Sequence, residues 1–339
     1  MGETSYLKKE GLQASSTIAV TRAFYEEYGQ PLIHTEFPEY EDRIAVGLVG
    51  EGSECFGFDD EISRDHDFDL GFCMWLTAED YERIGKDLDA AYHRLIAEEG
   101  VRYASSVWGE QKTLTNQRIE SRRGVMDIAG FYGNTLRLSP DLSLLVDRQY
   151  WVYAEPRWLA TAVNGEVFRD DLGTFTSIRD MIKGYYPQRF YLYKLAEQLH
   201  LFSHGGQSNY PRMMARRDPV AARLCIDQTI RAAMDIAYLL AKEYPPYYKW
   251  TFQGLLRLPI LHGLPALLEK LTRIPGQDEI WENLEYSPLK VYTEDPVIRT
   301  IEEIAGELVR EMNRQDLIEG EECFLESYVP ILTAKADNC

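Results

Sequence analysis

Three aspartates occupy alternate positions in one short stretch of the chain, at Asp65, Asp67 and Asp69. In an extended strand, residues two positions apart point to the same face roughly 7 Å from one another, so two such carboxylates can converge on a cation. Without that cation they would repel each other and take up protons. Because magnesium prefers a few carboxylates together with phosphate oxygens, the spacing predicts a magnesium site on a strand.

A glycine-serine pair precedes these acids, and a further acid follows them. An apolar run at 44–49 leads into Gly52 and Ser53, and eleven residues separate Ser53 from Asp65, where the acidic stretch begins. Gly52 allows the backbone to approach a ligand closely, and Ser53 offers a hydroxyl and an amide to phosphate oxygens. Asp127 lies in the apolar sequence Val-Met-Asp-Ile. The apolar patterns predict three strands, at 44–50, 67–76 and 124–131.

This combination resembles the nucleotidyltransferase fold shared by DNA polymerase beta and the aminoglycoside nucleotidyltransferases. The signature of that fold is Gly-Ser or Gly-Gly, a gap of about ten residues, and then acid-x-acid before an apolar residue. In this chain Gly52, Ser53, Asp65, Asp67 and Phe68 match it. The stretches at 47–68 and at 247–253 are also similar to the bacterial family that carries a DUF4037 domain.

The resemblance implies roles for these residues. Asp65 and Asp67 would hold one or two magnesium ions, and Asp127 would join them and act as the base for an attacking hydroxyl. Asp67 and Asp69 also fit the gap, although the closer family usually has Asp-His-Asp-Phe, which favours Asp65 and Asp67. For Asp127 the alternative is a paired structural carboxylate. Gly52 and Ser53 would bind the phosphates of the nucleotide.

The sequence pattern changes near residue 145, from short apolar runs to longer amphipathic helices. We therefore predict an α+β fold with a nucleotidyltransferase domain at 1–145, built on a short mixed sheet flanked by helices, and an α-helical bundle at 146–339. By resemblance, the bundle would close over the nucleotide and bind the acceptor. Its candidate phosphate ligands are Arg189, Lys194 and Lys249; the alternative for each is a solvated surface cation.

The composition limits the possible partners. A net charge of -19 over 339 residues disfavours a nucleic-acid backbone as a partner, whereas bound magnesium would still admit a nucleotide. Five scattered cysteines without a Cys-x-x-Cys motif indicate neither a zinc site nor a disulfide framework, which fits a cytoplasmic protein. No stretch has the length and apolar character of a membrane span.

Together these features predict a magnesium-dependent enzyme that transfers a nucleoside monophosphate, with AMP the expected group, from a triphosphate to a hydroxyl and releases pyrophosphate. The acceptor is a small molecule or a protein side chain. In the second case the chain would be an antitoxin-like regulator that adenylylates a protein partner; a homodimer is also compatible with the sequence. A catalytically silent nucleotide sensor is a third possibility, which the retention of all three acids disfavours.

Overall fold

The structure is a computed structural model that describes residues 16–59, 70–108, 122–138, 143, 145, 148–288 and 290–339. The chain divides into two compact units, Met1–Gly184 and Tyr185–Cys339. In their described parts, the first unit combines helices with a small sheet and the second is helical. The chain thus has a mixed α+β fold, as the sequence predicts.

The sheet of the first unit has four short strands in the order β3-β2-β1-β4. Strand β1 is antiparallel to both of its neighbours, whereas β2 and β3 are parallel. The end of β1 therefore lies beside the beginnings of β2 and β3. The strands are β1 (Ala45–Leu48), β2 (Cys73–Leu76), β3 (Gly124–Asp127) and β4 (Glu166–Arg169).

Helices cover the sheet. Those described in the first unit are α1 (Thr17–Phe24), α2 (Gln30–Glu36), α3 (Ala78–Leu95), α4 (Val101–Trp108), α5 (Ile128–Thr135), α6 (Arg148–Tyr153), α7 (Pro156–Val163) and α8 (Thr174–Lys183). Alternate residues of β2 supply two cores, as the period of a strand requires. Met74 and Leu76 pack in the core formed with α1, α3 and α4. Trp75 packs against Phe131 of α5 and Phe175 of α8, with ring centroids 5.4 and 3.9 Å away.

Several boundaries differ from those predicted. Glycine commonly ends a helix, but the first helix continues past Gly29 through a π-helical turn into α2. Gly29 serves close packing instead, because a β-carbon there would lie 2.7 Å from the ring of Phe72. The predicted strand at 124–131 ends at Asp127, whose side chain caps α5. Helix α3 likewise continues past Gly100 into α4.

The first unit also extends past the predicted domain boundary at 145, to Gly184. The reason is that β4 pairs with β1 at the edge of the sheet. In addition, Phe175 of α8 is buried against Trp75 and Tyr132.

The second unit is a bundle in which α9 packs against α11 and α16. Its described helices are α9 (Gln188–Phe202), α10 (Tyr210–Ala215), α11 (Pro219–Ala241), α12 (Tyr248–Leu255), α13 (Leu264–Arg273), α14 (Asp278–Trp281), α15 (Pro296–Arg314) and α16 (Val329–Asp337). Among the described residues of both units, no helix combines the length and apolar character needed to cross a membrane.

One carboxylate in this bundle, that of Asp235 on α11, is partly withdrawn from solvent. Burial raises its pKa from 3.8 to about 6, and Arg231 one turn earlier opposes the shift. The pKa in the folded state therefore exceeds the unfolded value, and the folded protein holds an extra proton between about pH 4 and 6. The contribution of Asp235 to stability falls as the pH rises through that window.

We predict that Asp235→Asn stabilises the protein above pH 6, by up to about 3 kcal/mol, and that the difference disappears below pH 4. Urea unfolding of both proteins across this range measures it. Asp227→Asn is the control, because Asp227 lies on the same helix but has a side chain that is 46 % exposed and paired with Arg223 at 3.2 Å. Equal pH dependence of the wild type and Asp235→Asn would contradict the assignment.

Candidate functional site

The loop that follows β1 carries the predicted glycine-serine pair. Gly50 and Gly52 have φ angles of 121° and 127°, which side chains other than glycine rarely allow. Ser53 then opens a turn in which its carbonyl accepts hydrogen bonds from the amides of Phe56 and Phe58, at 3.1 and 2.9 Å. No residue in the described part of the chain hydrogen-bonds the Ser53 hydroxyl, so this group is available to a ligand.

A buried ion pair holds this loop against the start of β3. Arg123 donates to the carboxylate of Glu54, and the two side chains are only 7 and 8 % exposed. A β-carbon at Gly52 would overlap that carboxylate, so the glycine is needed for space as well as for its φ angle. Burial lowers the pKa of the Arg123 guanidinium, but Cys55, Cys73 and Glu54 together raise it by more. Arg123 therefore stays charged.

The two cysteines beside this pair are structural. Burial raises the pKa of the Cys55 thiol to about 12, and it raises the pKa of Cys73 as well. Because only the thiolate is a good nucleophile, neither thiol is reactive at neutral pH. The Cys73 thiol lies 3.3 Å from the carbonyl of Arg122, within the chain that enters β3.

A distant segment of the chain fixes the other side of the loop. The side-chain amide of Asn164 donates to the Gly50 carbonyl at 2.7 Å, and its oxygen accepts from the Gly50 amide at 2.8 Å. The Gly165 amide donates to the Cys55 carbonyl at 2.7 Å. Arg179 of α8 donates to the carbonyls of Asn164 and Gly165, at 2.7 and 3.0 Å. Sequence reasoning missed these residues, because nothing in the sequence pairs 164–165 with 50–55.

Asp127, the predicted third acid, lies at the junction of β3 and α5. One of its carboxylate oxygens accepts a hydrogen bond from the Gly130 amide at 2.7 Å and so caps the helix. Gly130 has no side chain, which leaves room for the second oxygen. Asp127 pairs with Leu76, whereas Gly124 pairs with Cys73. Asp127 is therefore three strand positions, roughly 10 Å, from the end of the sheet where β1 leads into the Gly50–Ser53 loop.

A cleft of about 470 Å³ in the first unit contains residues from both ends of β3. Its charged lining consists of two carboxylates and two guanidinium groups, from Glu51, Asp127, Arg122 and Arg137. Arg122 pairs with Glu51 at 3.5 Å. The cleft has the size of a site for a small molecule.

Aromatic side chains complete the wall of this cleft. They come from Tyr81 of α3, Phe131 of α5 and Trp158 of α7. Tyr81 is 41 % exposed and Trp158 is half-buried, whereas Phe131 belongs to the core. Tyr81 and Trp158 therefore offer surfaces on which a planar ring can pack.

The three basic residues proposed to bind phosphates, Arg189, Lys194 and Lys249, belong to the second unit. Arg189 lies 3.9 Å from Asp337 and has its guanidinium 5.7 Å from the ring centroid of Tyr193. Lys194 is half-buried with its ammonium 5.2 Å from the ring centroid of Tyr186, and burial lowers its pKa.

Lys249 is the exposed member of this set. Its ammonium is 5.6 Å from the ring centroid of the neighbouring Trp250.

The predicted metal ligands Asp65 and Asp67, with the alternative Asp69, lie outside the described residues. Within the described ranges, no three His, Cys, Asp or Glu side chains are grouped closely enough to hold a metal ion. The described chain enters β2 through 70–72, at the end of the sheet where the Gly50–Ser53 loop lies. Ser53 is thus near the point at which the described chain resumes after the acidic segment.

Comparison with known proteins identifies one part of the chain. Residues 151–251 match the family model of a domain of unknown function, DUF4037. The match covers just under a third of the chain, and the DUF4037 segment includes Asn164, Gly165 and Arg179, which support the loop. No curated protein and no solved structure matches the chain. The resemblance to nucleotidyltransferases stays a prediction from the motifs.

We predict that Arg123→Met and Glu54→Gln each destabilise the protein by about 3–5 kcal/mol, because each removes one partner of a buried pair. The double variant should cost less than the sum of the two. Chemical denaturation of all four proteins gives this coupling. The exposed pair of Arg83 and Glu79 is the control and should contribute less than about 1 kcal/mol. Additive single effects at Arg123 and Glu54 would exclude a coupled pair.

A second prediction separates the two roles available to Asp127. Asparagine caps helices about as well as aspartate, so Asp127→Asn should change the unfolding free energy by less than about 0.5 kcal/mol, whereas Asp127→Ala should cost about 1 kcal/mol or more. Urea unfolding measures both. Equal losses in the two variants would mean that the negative charge at the helix terminus, rather than the hydrogen bond, provides the stabilisation.

Proposed function

We propose that the chain is a magnesium-dependent nucleotidyltransferase that transfers a nucleoside monophosphate, with AMP the expected group, from a triphosphate to a hydroxyl. The observation that carries this proposal is the Gly50–Ser53 loop at the end of β1, held rigidly on both sides and adjoining a cleft that contains Asp127. A sheet in which β1 runs antiparallel to β2, with the acidic stretch between them in the sequence, supports it.

Ser53 is the residue best suited to bind the β and γ phosphates. Its hydroxyl has no partner among the described residues. The buried pair of Arg123 and Glu54 fixes the turn before a ligand arrives. Binding to a preorganised loop costs less conformational entropy than ordering a flexible one.

Asp65 and Asp67 are the proposed magnesium ligands. Carboxylates at this spacing are hard oxygen donors that suit this ion. When bound, magnesium would supply positive charge beside the transferred phosphoryl group. By the same resemblance, Asp127 would join these magnesium ligands and act as the base for the acceptor hydroxyl.

The proposed reaction is an in-line displacement at the α-phosphorus. The acceptor oxygen forms a bond to phosphorus, the bond to the bridging oxygen of the β-phosphate breaks, and pyrophosphate leaves. The free oxygen of Asp127 takes the proton from the acceptor hydroxyl. A cleft of about 470 Å³ favours a small-molecule acceptor over a protein surface.

The test is calorimetric titration with the non-hydrolysable analogue α,β-methylene-ATP, with and without magnesium. We expect magnesium-dependent binding that weakens at least about tenfold in Asp65→Asn and in Asp67→Asn, because each loses a charged ligand. Asp69→Asn is the matched control, one alternate position further along, and should bind as the wild type does.

The asparagine series also discriminates between the alternatives. If Asp67→Asn and Asp69→Asn weaken binding of the analogue and Asp65→Asn does not, the magnesium ligands are Asp67 and Asp69. Undiminished binding in all three variants, or binding that needs no magnesium, would overturn the metal site and with it the proposed chemistry.

A further inference from the structure

One arginine of the cleft has no ion-pair or hydrogen-bond partner for its side chain among the residues that the structure describes. Among the described residues of the first unit, nine arginines lie within 4 Å of a carboxylate, and Arg179 instead donates to two backbone carbonyls. Arg137 lines the cleft and is exposed. Its guanidinium makes no ion pair or hydrogen bond with any residue that the structure describes.

The backbone of Arg137 also adopts an unusual conformation. It follows the end of α5 with a φ of 58°, in the left-handed region where glycine is preferred, and its amide donates to the carbonyl of Asn134 at 3.4 Å. A non-glycine residue in this conformation is strained. This position thus keeps a large cation at the mouth of the cleft at some cost in conformational energy.

The same strain occurs at an arginine that does not line this cleft, and this provides a matched control. Arg217 follows the end of α10 with a φ of 57°, is exposed, and donates its amide to the carbonyl of Met214 at 3.0 Å. A basic side chain at a helix C-terminus also interacts favourably with the helix dipole. The two arginines share this local role, so only the position of Arg137 on the cleft distinguishes them.

We propose that Arg137 binds an oxyanion of the ligand that occupies the cleft, and that this ligand joins the oxyanion to a planar ring that packs on Trp158. An arginine presents five donors in a planar fork that matches a phosphate or carboxylate. Arg122 is already paired with Glu51 across the cleft. Arg137 is therefore the cation that remains for an incoming anion.

This proposal rests on the proposed function in one respect: the nucleotide of that function is one of two possible sources of the oxyanion. The oxyanion belongs either to the phosphates of the nucleotide or to a phosphorylated acceptor. Both sources carry a phosphate. Orthophosphate alone should bind if the site accepts the phosphate of an acceptor, and it should not bind if the site requires the nucleotide. The two probes are therefore α,β-methylene-ATP with magnesium and orthophosphate.

The experiment titrates wild type, Arg137→Gly and Arg217→Gly with each probe by calorimetry. Glycine suits the left-handed conformation, so both variants should fold, with equal changes in Tm of no more than about 2 °C. We expect Arg137→Gly to weaken at least one probe about ten- to a hundredfold, the loss of one charge-assisted hydrogen-bonded contact. Arg217→Gly should bind both probes as the wild type does, and Arg137→Lys should recover part of the loss.

The pattern of losses identifies the source. Weakened binding of the nucleotide analogue alone places Arg137 on the nucleotide, and weakened binding of orthophosphate places it on a separate phosphate subsite. A change in tryptophan fluorescence on binding that is absent in Trp158→Phe would support the position of the ring. Equal affinities in Arg137→Gly and Arg217→Gly, or no binding of either probe to the wild type, would overturn the proposal.

Failure here is distinguishable from failure of the proposed metal site. If Asp65→Asn retains magnesium-dependent binding while Arg137→Gly loses affinity, the metal site is wrong and the oxyanion site stands. If instead Asp65→Asn loses magnesium-dependent binding and Arg137→Gly keeps its affinity, Arg137 has no role in binding and the nucleotidyltransferase proposal stands.

Discussion

The buried ion pair between Arg123 and Glu54 is the constraint on which the loop after β1 depends. A charge left alone in the interior costs several kcal/mol, so neither side chain can move without the other. Because Glu54 is fixed, Gly52 cannot carry a β-carbon, and because Arg123 precedes β3, the loop keeps a constant position relative to the sheet. The Cys55 thiol lies 4.0 Å from the guanidinium of Arg123. A glycine-serine motif thereby becomes a rigid structure.

The second support of the loop explains why the first unit is longer than its sequence pattern suggests. Asn164 satisfies both backbone groups of Gly50, which have no partner in a strand once β1 has ended. Strand β4 follows directly and pairs with β1, and α8 closes the core behind it. The DUF4037 segment begins within this support and continues into the second unit. Residues 151–184 thus belong to the same structural unit as the loop that they support.

The sequence predicts those features that follow from local patterns. The apolar run of β2 and the long amphipathic helices of the second unit have their causes within a few residues, and the mixed α+β fold follows from them. The boundary at Gly184 and the pairing of Asn164 with Gly50 depend on contacts more than a hundred residues apart. The helix that begins after Asp127 shows the difference: one cap hydrogen bond overrides a strand-like run of apolar residues. The metal pair rests on motif spacing alone.

The charges of the cleft constrain what it can bind. The chain carries a net charge of -19, yet Arg122 neutralises Glu51 at the cleft and leaves Asp127 and Arg137 as the groups that a ligand would meet. An anion that approached Asp127 alone would be repelled, and a cation that approached Arg137 alone would be repelled as well. A ligand that offers a hydroxyl proton to the carboxylate and an oxyanion to the guanidinium satisfies both. These charges support the proposal of a ligand that combines phosphate and hydroxyl groups.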